Sequence, residues 1–180
     1  MNTEEEETQT VISPSIEMST STIIENKAGV VISDKDKENF FKSILSDKAY
    51  EETVTLFDGT LELTFRAMSV QENSDIVTQI GLDRNNDIKV DNDAYLITLT
   101  SYRMALSLTK INDQEYSSIK KEGFTPRSKT DTYILARMEP MLSWSTPKLS
   151  TYIDAFKVFE NKLIKLAGEV QNRNFWKASA

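Results

Sequence analysis

The chain contains no histidine and no cysteine among its 180 residues. That excludes an imidazole base, a thiolate nucleophile, a disulfide and any zinc site built from Cys and His. Glycine is scarce, five residues scattered at 29, 59, 81, 123 and 168, so no glycine-rich loop is available to cradle a phosphate or a dinucleotide. No stretch approaches the eighteen or so consecutive apolar residues of a membrane-spanning helix. The opening carries Glu4, Glu5, Glu6 and Glu7 where an export signal needs basic and then apolar residues, so the expected location is the cytosol where the chain is made.

What is present is ordinary for a globular protein: 39% hydrophobic, 27% charged and 9% aromatic residues. The net charge of −7 is unevenly spread. Residues 1–36 hold eight acids against two bases, which is −6, leaving −1 for the remainder. The near-neutral body mixes both signs, as in Lys35 to Lys42 and Lys157 to Lys165, and has no basic stripe to replace phosphate counterions. Binding to nucleic acid or to an anionic membrane is therefore not expected.

The fold class expected is α+β, mostly helical: an early β-hairpin followed by a small helical bundle with a long C-terminal amphipathic helix. Residues 1–33, rich in Glu, Thr and Ser, read as a disordered acidic arm, with the Gly29 to Ser33 run able to add a strand. Residues 34–180 read as one mainly helical domain. Asp34 or Asp36 caps a short helix bearing Phe40, Phe41, Ile44 and Leu45 on one face. A hairpin spans about 52–68, because Asp58-Gly59 separates two β-prone runs and Leu61, Leu63 and Phe65 alternate with Glu62, Thr64 and Arg66.

Ser69-Val70-Gln71-Glu72 reads as a capping box opening a helix through Ile76, Val77 and Ile80 to Gly81. A helix from Asn92 or Asp93 to about Thr109 is apolar on most faces, as a central buried helix would be. Asn112-Asp113 marks a second small turn or hairpin, and a helix from about Lys129 to Leu142 should bend or end at Pro140.

The last helix is the most strongly patterned. After Ser145 as cap and Pro147 in the first turn, Leu149, Tyr152, Phe156, Phe159, Leu163, Leu166 and Val170 are spaced three and four alternately. Burying seven such side chains is worth roughly 10 to 20 kcal/mol before conformational entropy is subtracted, so the seam must be covered. Either it packs on its own domain or it is a seam for a partner or a second copy. Phe175-Trp176, in the polar tail, either staples back or serves as a docking anchor.

Catalytic patterns do not assemble. Asp83, Asn85, Asp87 and Asp91 match positions 1, 3, 5 and 9 of a calcium loop, but Ile88 replaces the required glycine and Ala94 the bidentate glutamate. Ser-x-x-Lys occurs at Ser107, Ser117, Ser118 and Ser145 without its companion motifs, as chance would produce. Carboxylates suited to glycoside hydrolysis lie on polar helix faces or in the arm, where solvation accounts for them. No enzyme, cofactor or metal is expected, and such a chain works by binding.

The run Tyr50 to Ile80, YEETVTLFDGTLELTFRAMSVQENSDIVTQI, resembles the opening of tailed-bacteriophage tail assembly chaperones, in which a hairpin leads to an Arg-containing strand and a short helix. Asp93 to Leu108 and Lys157 to Trp176 are similar in pattern to those chaperones and to small phage baseplate proteins. The resemblance covers about residues 45–178 and carries no invariant motif. It implies a protein that binds the helical tape-measure protein, or another tail protein, in the host cytoplasm, shields its apolar stripes and is absent from the finished tail. It also allows a longer product made by frameshifting past Ala180. The alternative is a structural virion subunit of baseplate, tail or connector. The expected partner-binding residues are Phe156, Phe159, Leu163, Leu166, Val170, Phe175 and Trp176, with a homo-oligomer through the C-terminal helix as a further possibility.

Overall fold

The structure is a computed structural model that describes residues 31–85, 92–126 and 131–170. Its fold is α+β and mostly helical. A first helix, α1 (Asp34–Leu45), precedes the hairpin β1 (Glu51–Leu56) and β2 (Leu61–Arg66). Two longer helices follow, α2 (Val70–Asn85) and α3 (Asn92–Ser107), and then the short strands β3 (Leu108–Ile111) and β4 (Gln114–Glu115). A six-residue α4 (Tyr133–Met138), a 3-10 turn (Glu139–Ser143) and the 25-residue α5 (Thr146–Val170) complete the described residues.

The four strands form one antiparallel sheet in the order β1-β2-β3-β4. Asp58 and Gly59 adopt φ of 51° and 92°, the left-handed conformation a tight primed turn demands, and Thr60 N–H donates to Phe57 O at 3.0 Å. Phe57 is also left-handed, at φ 51°, so strand pairing stops at Leu56 and Leu61. Leu63 and Phe65 are buried on one sheet face, while Thr64 and Arg66 alternate onto the other, where the Thr53 and Thr64 hydroxyls meet at 2.9 Å. Asn112 and Asp113 make the second turn, also at positive φ, and Asn112 exchanges backbone and side-chain hydrogen bonds with Glu62.

The main core lies between the sheet and α5. Phe65 packs on Phe156 and Phe159 with ring centroids 5.5 and 5.6 Å apart, and Tyr50 stacks on Phe159. A second apolar cluster, Ile76, Ile80, Tyr102, Leu106 and Ile134, joins α2, α3 and α4.

Several expectations are corrected in detail. The cap of α1 is Ser33, whose hydroxyl accepts from Asp36 N–H, while Asp36 supplies the reciprocal carboxylate. Of that helix's four apolar residues only Phe40 is buried; Ile44 and Leu45 are exposed. The α2 helix continues past Gly81 to Asn85, and Val77 points outward. The α3 helix stops at Ser107 because Leu108 and Thr109 belong to a strand: Leu108 opposes Phe65, and the Thr109 hydroxyl donates to Thr64 O. Of the helix expected from about Lys129, the described part is α-helical over Tyr133–Met138, capped by Thr132, and gives way to the 3-10 turn that holds Pro140; Lys129 lies outside the described residues. Val31–Ser33 form no strand; the rest of the acidic arm lies outside the described residues.

Candidate functional site

On the polar face of the sheet, a groove of about 830 Å³ opens between Arg66, the start of α2, the β3-β4 turn and the segment that follows β4. Its charges are matched. The capping box read from Ser69 and Glu72 is present: Glu72 N–H donates to Ser69 Oγ at 3.1 Å, and Ser69 N–H donates to Glu72 Oε2 at 2.9 Å. The same carboxylate takes both arms of the Arg66 guanidinium. Burial alone would raise the Glu72 pKa, but the Arg66 and Ser69 donors hold it below the usual glutamate value.

At the floor of the groove, Arg137 is buried among backbone carbonyls. Its Nε donates to Ala105 O, Nη1 to Ser117 O and Ile119 O, and Nη2 to Ala105 O and Leu108 O. All five N–H groups of the guanidinium are used, none on a carboxylate. The Tyr116 ring lies 5.3 Å beneath it and the Tyr116 hydroxyl donates to Arg137 O. Burial lowers the Arg137 pKa and raises that of Tyr116. With its donors saturated, Arg137 ties α3, β3, the segment after β4 and α4 together; it leaves no N–H for a ligand.

A second buried polar chain crosses the helices. Tyr102 Oη donates to Asp83 Oδ2 at 2.7 Å, Gln79 Nε2 donates to Asp83 Oδ1 at 2.8 Å, and the Thr132 hydroxyl donates to Gln79 Oε1. The first position of the calcium-loop pattern is thus occupied by protein donors; Asp87 and Asp91 lie outside the described residues. No group of three or more acidic side chains able to hold a metal occurs among the described residues. Nor is any helix there long and apolar enough to cross a membrane.

The α2 helix buries two of its charged side chains, Glu72 and Asp83. Its charged side chains are all engaged by other elements: Glu72 by Arg66, Asp75 by Lys121, Asp83 by Tyr102, and Arg84 by the Tyr95 ring at 5.1 Å. Its outward line, Val70, Ser74, Val77 and Gly81, is uncharged until it reaches the exposed Arg84, and Val70 and Val77 are 89% and 71% exposed. Leu96 and Ile97, in the first half of α3, are exposed as well.

The seam of α5 faces the opposite way. Phe156, Phe159 and Leu166 are buried in the main core, and Leu163 and Val170 are partly buried against it. In this fold those residues cover their own domain. Phe175 and Trp176 lie outside the described residues. Val158 and Ile164 occupy the outer side of α5 and are exposed.

Three residues that hold the architecture are not singled out by pattern. Arg137 is the strongest, and a lone arginine within the apolar run Tyr133 to Met138 was its one signal. Lys162 bridges Asp36 and Glu52 at 2.9 and 2.6 Å, joining α1, β1 and α5. Arg103 pairs with Glu160 at 2.6 Å between α3 and α5, and its buried Nε has no hydrogen-bond partner among the described residues. Burial raises the Glu160 pKa despite Arg103.

No family model, curated protein or solved structure matches this chain.

Proposed function

We propose that this chain is a non-enzymatic phage tail assembly chaperone that binds a helical client such as the tape-measure protein in the host cytoplasm. The observation that carries the reading is the outward face of α2. Two of its charged side chains, Glu72 and Asp83, are buried against Arg66 and Tyr102, and Val70, Ser74, Val77 and Gly81 face solvent with no charge among them. A neutral, shallow, partly apolar helix face suits an amphipathic helix held reversibly. The resemblance of residues 50–80 to tail assembly chaperones supports the same role, and α2 begins within that run.

The chain is to be co-expressed with a tape-measure fragment from its own genome and the soluble fraction measured. An increase in soluble client supports the proposal; unchanged client solubility overturns it.

One feature favours a second reading, a structural subunit of baseplate, tail or connector. With the α5 seam filled internally, the exposed patches on α2, α3 and the outer side of α5 sit on a preformed body suited to permanent burial in a symmetric assembly. Mass spectrometry of purified virions separates the two, since a discarded chaperone is absent from mature particles.

A further inference from the structure

We infer that the corner between the Trp144 and Tyr152 rings is a binding site for an alkylammonium group, that Lys148 fills it in the free protein, and that it takes a lysine side chain of a partner polypeptide.

Three elements meet to build the corner at the start of α5. Trp144 closes the 3-10 turn, its N–H donating to Met141 O at 3.0 Å, and Tyr152 stands in the second turn of α5. Their ring centroids are 4.6 Å apart and their planes cross at 60°, so the two faces form the sides of a corner. Tyr116, just after β4, backs Trp144 at 6.1 Å in a T-shaped contact, and its own hydroxyl is tied to Arg137 O at 2.8 Å. Tyr152 is buried, and Trp144 and Tyr116 are partly buried, so the rings are in position before any ligand arrives.

Lys148 Nζ lies 4.4 Å from the Trp144 centroid and 5.5 Å from that of Tyr152, inside the range of about 6 Å over which an aromatic face attracts a cation. Its place on the helix works against it. Lys148 is the third residue of α5, where the helix end carries partial positive charge, and the first turn holds no acid to offset that. The ring faces counter this repulsion, which makes the corner itself the attractive element. Lys148 is exposed, and an exposed lysine changes rotamer within nanoseconds, so an arriving cation finds the corner vacated.

The ligand follows from the shape and sign of the site. Ring faces repel anions and attract cations. A planar guanidinium stacks on a single ring and seeks a fork of acceptors, as Arg137 does over Tyr116 at 5.3 Å with its N–H groups on carbonyls. Two faces crossing at 60° suit a compact, rounded charge instead, the kind of ammonium that already sits there. Two faces also leave much of a small free cation in water, so the chain that carries the ammonium has to supply the rest of the affinity. Leu142, 74% exposed and two residues before Trp144, offers that chain an apolar contact. The assignment is independent of the proposed chaperone role.

Nuclear magnetic resonance on the full chain, titrated with tetramethylammonium chloride, tests the site. The Trp144 indole signal is expected to move, while sodium chloride and the neutral tert-butanol leave it in place; no movement, or equal movement with either control, overturns the inference. The Lys148→Gln chain, whose corner is empty, is expected to bind tetramethylammonium about two- to fivefold more tightly than the wild-type chain, and equal affinity overturns Lys148 as the resident cation. A check on the wild-type chain needs no variant. Ring currents are expected to hold the Lys148 Cε protons upfield and tetramethylammonium to return them to the position of free lysine; protons that start there overturn the same point. The peptide acetyl-Leu-Lys-Leu-amide is expected to bind the Lys148→Gln chain about two- to fivefold more tightly than acetyl-Leu-Gln-Leu-amide, and equal binding overturns lysine as the ligand.

Discussion

The Arg137 guanidinium donates twice to one oxygen, that of Ala105, from Nε at 3.1 Å and from Nη2 at 3.0 Å. Ala105 lies in the last turns of α3, just before the chain enters β3, so this pair fixes the point where helix becomes strand. A buried cation satisfied only by carbonyls contributes through the groups that would otherwise go unpaired. Arg137→Met is expected to destabilise the fold by about 3 kcal/mol or more, since each buried carbonyl left without its donor costs about 1 to 3 kcal/mol. Arg137→Lys, with three donors on a different geometry, recovers only part of this. Chemical denaturation of the purified variants measures both.

Glu72 gives the pH dependence a definite sign. Its pKa in the fold lies below the unfolded value, so the stabilisation is fully present above the unfolded pKa and is lost as the pH falls through the folded one. Glu72→Gln is expected to cost about 1 to 3 kcal/mol near neutrality. The gap between variant and wild type closes as the pH drops below about 4. Asp36 is held low in the same sense by Lys162 and Ser33 even though burial opposes it, so the α1 attachment also weakens in acid. Denaturation midpoints measured across this pH range give the check.

Val77 separates folding from binding. Placing a charge on the outward line of α2 with Val77→Glu is expected to leave stability within about 0.5 kcal/mol of wild type, as for a surface site. The same substitution is expected to abolish the solubilisation of a co-expressed tape-measure fragment. Full retention of that activity would remove α2 from the contact surface.

Phe57 is a large, 66% exposed side chain held at a left-handed φ of 51°. Asparagine tolerates that conformation far better than phenylalanine, so Phe57→Asn is expected to raise stability by about 0.5 to 1 kcal/mol. Gly59→Ala, at φ 92°, is expected to lower it by about 1 kcal/mol through backbone strain alone, since a Cβ there meets nothing within 4 Å. Thermal melts of the two variants should move in opposite directions.

What the sequence reveals and what it hides divides by range. Asp58-Gly59, Asn112-Asp113, the Ser69 and Glu72 box and Pro140 act on their own neighbours, and each was readable because its chemistry is complete within a few residues. Leu108 and Thr109 continue the apolar pattern of α3, yet Leu108 pairs with Phe65 and the Thr109 hydroxyl donates to Thr64 O, more than forty positions earlier, a competition that no local window contains. Val77 fits the apolar spacing of α2 as well as Ile76 does; which of them is buried depends on where α3 and α4 lie. The α5 seam was legible as a seam, but three-and-four spacing is the same whether the covering surface is the chain itself or another molecule. Arg137 was hidden because its four acceptor oxygens come from three separate segments.

The passage from Ser107 straight into Leu108 leaves no slack between helix and sheet. Rotating α3 would drag β3 out of register with β2, and the Ser107 hydroxyl, bonded to Arg66 O, adds a further stop. The sheet and α3 are thereby geared to move as one piece, so a force that turns the helix is felt directly in the pairing of β2 with β3.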